Sequence, residues 1–219
     1  MGKWERWLVP GILAAVGVPF LIAGSLLRAF VPQAVDRHAQ EVARLPVATA
    51  ATLNEQGTQV LLEGWVSDHT PLSDQPPLVT YSEYHRVSND GEWQWEHRRN
   101  YTPTLWVQIP GRDVEIAAGY TLRSTASEGK SLGEQSQQRR YKGFKATDPI
   151  LVVGTLSATG DRPVVSAAQI AFATKDTYLA TLAEEAVTAR WMGILFLSLG
   201  GMLTLGAILV AYGIGRTKG

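Results

Sequence analysis

The stretch that decides the architecture is Trp191–Gly215, WMGILFLSLGGMLTLGAILVAYGIG, twenty-five residues without a charge. At 1.5 Å per residue it exceeds the roughly 30 Å thickness of a bilayer's hydrocarbon core and reads as a membrane helix. Trp191 and Tyr212 lie at its two ends, at the headgroup level that amphipathic aromatics prefer, and Arg190, Arg216 and Lys218 flank it. A matching run opens the chain: LVPGILAAVGVPFLIAGSLL, Leu8–Leu27, is again uncharged. Its basic start at Lys3 and Arg6 also fits a signal peptide, but the apolar run is long for one, and no A-x-A-like cleavage site follows directly. It is therefore expected to be a retained anchor. Pro10 and Pro19 are better tolerated in a membrane helix than in a soluble one.

Outward from these runs, Lys3 and Arg6 before the first and Arg216 and Lys218 after the second predict that both termini are cytoplasmic. The chain is thus expected in the cell membrane as a two-pass protein, with its central domain extracytoplasmic. Gly11, Ala14, Gly17 and Gly24 on one helix, and Gly200, Thr204, Ala207 and Ala211 on the other, allow close helix packing, within the chain or in a helix-mediated oligomer.

The 219 residues carry 20 basic and 20 acidic side chains, so no overall field points to nucleic acid. The absence of cysteine excludes disulfides, thiolate nucleophiles, and zinc or iron–sulfur sites built on sulfur. Residues 1–31 are read as tail and first membrane helix, and residues 32–56, with breakers Pro32 and Pro46, as a stalk in which 36–45 form a short helix. Residues 57–174 are read as a β domain, 175–213 as a helix continuing into the second membrane span, and 214–219 as a cytoplasmic tail.

Within the β domain, VLLEGWVS (60–67) is a strand. LVTYSEYHRV (78–87) and EWQWEHRRNY (92–101) flank Ser88-Asn89-Asp90-Gly91, a type I′ hairpin signal. With Asp90 and Gly91 as the loop, Glu83 is expected opposite Arg98 and His85 opposite Glu96, leaving Tyr84, Arg86, Trp93 and Trp95 on the other face. TLWVQIP (104–110) and DVEIAAG (113–119) form a second hairpin, residues 124–143 an exposed loop, DPILVVGTLS (148–157) a buried strand paired with RPVVSA (162–167), and 169–173 a further strand. Short strands with irregular loops predict a small OB-like β-barrel, mainly β, between two transmembrane helices. The pattern from Asp176 predicts one helix running without a hinge to Tyr212.

No HExxH, GxSxG, GxxxxGK[ST] or GxGxxG motif is present, and no cofactor is expected. His85 and His97 fall on opposite faces of the hairpin, against a shared metal. The candidate partner-contact residues are Arg86, Trp93, Trp95, Arg98 and Arg99, because arginine and aromatics anchor interfaces, although they are also ordinary on exposed sheets. Arg139, Arg140, Lys142 and Lys145, interleaved with Tyr141 and Phe144, are the candidate contact for lipid headgroups or an acidic partner, against the plainer reading of a solvated loop.

The order of parts, with LLEGWV, YSEYHRV, EWQWEHRRNYTPTLWVQI and the run from Asp148 to Val210, resembles the GIDE domain, also called the beside-a-membrane (BAM) domain, over residues 57–213. That domain is known from a mitochondrial ubiquitin and SUMO E3 ligase, where a cysteine-rich RING follows the second membrane helix. Here Arg216–Gly219 follow and cysteine is absent, so the resemblance implies a RING-less form and carries over no ligase activity. The expected function is a non-enzymatic binding or scaffold module with a protein or lipid partner near the membrane surface. The alternatives are an unrecognised enzyme, an E3-ligase-like accessory subunit, or an envelope sensor.

Overall fold

The computed structural model describes residues 5–73, 78–123 and 139–216, with side chains described from Trp7 to Gly213 within those ranges. Two units emerge. One is Glu41–Ala180; the other comprises the N-terminal segment up to Gln40 and the C-terminal segment from Thr181.

The second of these units holds most of two helices, α1 (Glu5–Arg44) and α2 (Lys175–Arg216). Both are long and apolar enough to cross a membrane. They run antiparallel at close range because small residues meet: a Cβ added at Gly17 would lie 2.7 Å from Thr204 Oγ1 and 3.1 Å from the Gly200 carbonyl, and one at Gly24 would lie 3.0 Å from the Gly193 carbonyl. Gly17 and Gly24 are thus used within the chain, as are Gly200 and Thr204. Gly11 faces open space. Phe20 stacks on Phe196 at 5.3 Å, and Arg190 donates to Asp36 at 2.8 Å.

α1 corrects the expected break at Pro32. The helix contains Pro10, Pro19 and Pro32 and continues to Arg44, so the expected stalk is helical over 32–44. A proline removes one backbone hydrogen bond. Bracing by α2 on both sides of Pro32, at Arg28 against Gly193 and at Asp36 to Arg190, holds the helix through it. α2 is one continuous helix, as its uninterrupted pattern predicts.

The β unit contains a closed five-stranded barrel. Its strands are β1 (Gln59–Val66), β4 (Leu105–Ile109), β5 (Arg112–Ile116), β8 (Pro149–Ala158) and β9 (Val164–Ala171). They follow the order β5-β4-β1-β8-β9, and the parallel pair Glu115↔Val164, Ile116↔Val165 closes the ring. β6 (Thr121–Arg123) adds a parallel partner further along β9. Period-two alternation sends Val60, Leu62, Val107, Val114, Val152 and Val165 into one apolar core. Gly64 takes its turn inward too, but a Cβ there would stand 2.1 Å from the Gln108 carbonyl oxygen, so only glycine lets β1 and β4 approach. The two strands expected at 162–167 and 169–173 are one strand with an irregularity, where Ala167 adopts φ 48° and the β8 register shifts.

The ends of the helices that belong to this unit are tied to it by polar bonds. Lys175 Nζ donates to the carbonyls of Ala43 (3.0 Å) and Leu45 (2.6 Å), satisfying acceptors at the end of α1. The Lys175 backbone N–H, at the start of α2, donates to Glu63 Oε2 of β1 at 3.1 Å.

A second sheet stands beside the barrel, in the order β3-β2-β7, from β2 (Thr80–Asn89), β3 (Glu92–Tyr101) and β7 (Arg139–Phe144). The hairpin is inserted between β1 and β4, and β7 between β5 and β8. The strand β7 corrects the loop expected over 124–143 at 139–143; residues 124–138 lie outside the described residues. Its sequence RRYKGF lacks the apolar alternation that marks a half-buried strand, because the sheet it joins has solvent near both faces.

Candidate functional site

The hairpin turn is as the sequence predicts. Asn89 pairs with Glu92, and Asp90 and Gly91 take φ 50° and 86°, the positive values a type I′ loop needs. From there the register is regular through Arg86↔Trp95, His85↔Glu96 and Tyr84↔His97. A β-bulge then intervenes, and Glu83 pairs with Arg99 instead of the expected Arg98. The extra residue brings Arg99 onto the Glu83 face.

On one face, opposed residues place Tyr84, Arg86, Trp93, Trp95 and His97 together. β7 extends this face, because Arg140 pairs with Tyr84 and Lys142 with Ser82. The Arg86 guanidinium lies 4.9 Å from the Trp93 ring centroid and the Lys142 ammonium 5.7 Å from that of Tyr84. The His97 ring meets Tyr84 edge-on at 5.4 Å. Trp93 is 61% and Trp95 40% exposed, so both present apolar area to solvent rather than to a core. Arg140 Nε is buried without a hydrogen-bond partner among the described residues. By register, this face carries Arg86, Arg140 and Lys142 and no carboxylate.

The opposite face collects all three carboxylates of these strands, Glu83, Glu92 and Glu96. Glu83 Oε2 accepts from Arg99 Nε at 2.7 Å, and Glu83 Oε1 lies 2.8 Å from His85 Nε2. The hydrogen bond from His85 and then the hydrogen bond and charge of Arg99 hold the Glu83 carboxyl below the usual range, outweighing the opposing effect of its burial. Arg99 is raised in turn, chiefly by its bond to Glu83. Arg98 pairs with Glu96 at 3.1 Å. Tyr81 stacks on Tyr101 at 5.1 Å and meets Tyr141 edge-on at 5.4 Å, forming an aromatic floor beside Glu83.

The two clusters expected from sequence are therefore redistributed. Arg98 and Arg99 leave the first: Arg98 lies on the carboxylate side by the hairpin alternation itself, the bulge brings Arg99 opposite Glu83 on that side, and each is matched with a glutamate. Arg139 leaves the second, since it pairs with His85 on that same face. Lys145 lies beyond β7 in a turn, where its backbone N–H donates to Asp148 Oδ2 at 2.9 Å. Arg140 and Lys142 remain and join Arg86, Trp93 and Trp95. Tyr84 and His97 complete the surface.

His85 and His97 lie on opposite faces, and among the described residues no three His, Cys, Asp or Glu side chains group closely enough to hold a metal ion. One further ionisable group is unusual. The Tyr120 phenol is buried, which pushes it up to about 12. Its polar neighbour Thr80 pulls the other way, but that hydroxyl donates to the Tyr101 carbonyl at 2.7 Å, and among the described residues the Tyr120 hydroxyl has no partner in hydrogen-bond geometry.

Comparison with protein-family models, curated proteins and solved structures finds no match to this chain.

Proposed function

We propose that this chain is a two-pass membrane protein that presents an extracytoplasmic, OB-like domain as a non-enzymatic binding module. The observation that carries the binding role is the one-sided distribution of charge on the β3-β2-β7 sheet. Arg86, Arg140 and Lys142 share a face with exposed Trp93 and Trp95, while every carboxylate of those strands is on the other side. An ordinary solvated sheet mixes its charges; a recognition surface concentrates aromatic and arginine anchors.

Support for the membrane part comes from two long apolar helices whose large side chains, among them Ile12, Ile22, Phe30, Leu195, Leu205 and Leu209, are exposed rather than buried in a protein core. The orientation rests on Lys3, Arg6, Arg216 and Lys218. The OB-like reading is supported by barrel connectivity. Numbered within the barrel, the strands follow 1-2-3-5-4 and close by a parallel 3–5 pair, a five-stranded Greek-key arrangement. Assignment to the GIDE or beside-a-membrane type rests on the sequence resemblance over residues 57–213.

The test is capture by chemical crosslinking in native membranes, with the full chain carrying R86A/W93A/W95A alongside wild type. The module reading expects an adduct, to protein or lipid, that the triple variant loses while keeping its circular-dichroism spectrum. Absence of any adduct from wild type would overturn it. Terminal tags with protease treatment of intact cells test the orientation: cleavage between the helices supports it, and protection of the central domain reverses it.

A further inference from the structure

Resting on the binding-module reading, we infer that the Arg86–Trp93–Trp95–Arg140–Lys142 face docks on an anionic lipid surface. The partner chemistry follows from what the face contains and lacks. It offers three cations, and by register no carboxylate from β2, β3 or β7 shares it. A folded acidic partner and an anionic bilayer would both satisfy that charge. The aromatic content favours the bilayer: two exposed indoles and Tyr84 are side chains with an apolar body and a polar edge, the type that concentrates at headgroup level. Arginine and lysine beside them carry alkyl stems that lie along apolar surface while their charges meet phosphate.

The other face has the contrary design. Glu83 is paired with Arg99 and hydrogen-bonded to His85, and Glu96 is paired with Arg98, so two of its three carboxylates are matched by arginines within the sheet. On the cationic face Arg86 and Lys142 meet rings rather than carboxylates: Arg86 covers Trp93 and Lys142 covers Tyr84. The covalent setting supplies the rest. The sheet belongs to a unit joined at both ends to a helix long and apolar enough to cross a bilayer, so a lipid surface is present at high effective concentration. Under that condition a weak, salt-sensitive contact of about fivefold per basic residue is enough to populate a docked state.

The absence of cysteine makes the test clean, since one introduced thiol labels uniquely. Ser88 is exposed on the cationic face, opposite Trp93, and Gln94 is exposed on the carboxylate face, opposite Val87. The full chain carrying S88C or Q94C is labelled with a nitroxide and reconstituted in vesicles of phosphatidylcholine alone or with phosphatidylglycerol, with the relaxation reagents on both sides of the membrane. The inference expects the Ser88 label to become oxygen-accessible and shielded from aqueous nickel chelate only in the anionic vesicles. The Gln94 label stays aqueous in both. Adding R86Q/R140Q/K142Q, with the Gln94 label's line shape as the folding control, returns the Ser88 label to its aqueous value, and high salt does the same.

An aqueous Ser88 label in anionic vesicles overturns the inference, as does shielding that is equal in neutral vesicles or survives the triple variant. The two readings fail separately. An aqueous label together with protein adducts in native membranes removes the lipid surface and leaves the module; an aqueous label with no adduct at all removes both.

Discussion

The two sheets of the β unit are built from neighbouring stretches of one chain and solve opposite problems. In the barrel all five strands, β1, β4, β5, β8 and β9, send apolar side chains into one core, and closure through β5 and β9 removes the free edge between its first and last strands. The β3-β2-β7 sheet has no such core along most of its length. β3 is exposed at every residue, and only the roots of β2, at Thr80, Tyr81 and Glu83, and of β7, at Phe144, are buried among the described residues. Ion pairs, stacked rings and backbone pairing hold it instead. A strand released from packing is free to choose side chains for contact, so the candidate contact residues collect on the sheet that contributes least to the core.

That contrast predicts a descending series of mutational effects, each read by thermal or denaturant unfolding of the full chain. Leu62→Ala, deep in the barrel, should cost about 3 kcal/mol and broaden or abolish cooperative melting of the β unit. A loss below about 1 kcal/mol would show that the barrel is not the source of stability. Gly143→Ala comes next, at about 2 kcal/mol, because its Cβ would lie 2.0 Å from the Thr80 carbonyl oxygen. It should also detach β7 from β2, seen as faster hydrogen exchange along both strands, and so divide the basic face.

Glu83→Gln should cost about 1–2 kcal/mol near neutral pH by leaving Arg99 and His85 with a weaker acceptor. The pH dependence has a definite sign. The folded carboxyl is depressed below the ordinary glutamate range, so its contribution is present above that range and is lost as pH falls through the folded value. The variant should therefore flatten the acid limb of the stability curve. Tyr120→Phe should stabilise by up to about 1 kcal/mol, since the buried hydroxyl lacks a hydrogen-bond partner among the described residues. The same change should flatten the fall in stability from near pH 10 to about 12, where the unfolded phenol ionises before the folded one. Smallest of all, Arg86→Gln should alter stability by no more than about 0.5 kcal/mol, because it removes a surface cation from a solvent-facing ring contact. A large loss there would make the face structural.

How much of this was legible in the sequence varied with how local the signal was. The two apolar runs and the Asp90-Gly91 turn announce themselves within a few residues, and both elements follow. The hairpin register is legible as far as Tyr84, after which the bulge that shifts Arg98 and Arg99 leaves no mark in the string EWQWEHRRNY. β7 is hidden for a different reason. Arg139 to Lys142 alternate between two solvent-facing sides, so polarity gives no period, and the partner strand lies more than fifty residues earlier. The union of Arg140 and Lys142 with Arg86, Trp93 and Trp95 is a product of that distant pairing. Pro32 misleads in the opposite direction: a local helix breaker is overridden by packing against α2.

The central claim is that the basic, aromatic face is the working side of this sheet and that β7 is part of it. Site-specific placement of a photoreactive benzoylphenylalanine at Trp95, and separately at Gln94, in native membranes tests it most directly. The account predicts an adduct, to lipid or to protein, from position 95 and none from position 94, and its loss when R140Q/K142Q is added some forty-five residues away. Equal adducts from the two positions, or a position 95 adduct indifferent to Arg140 and Lys142, would contradict it.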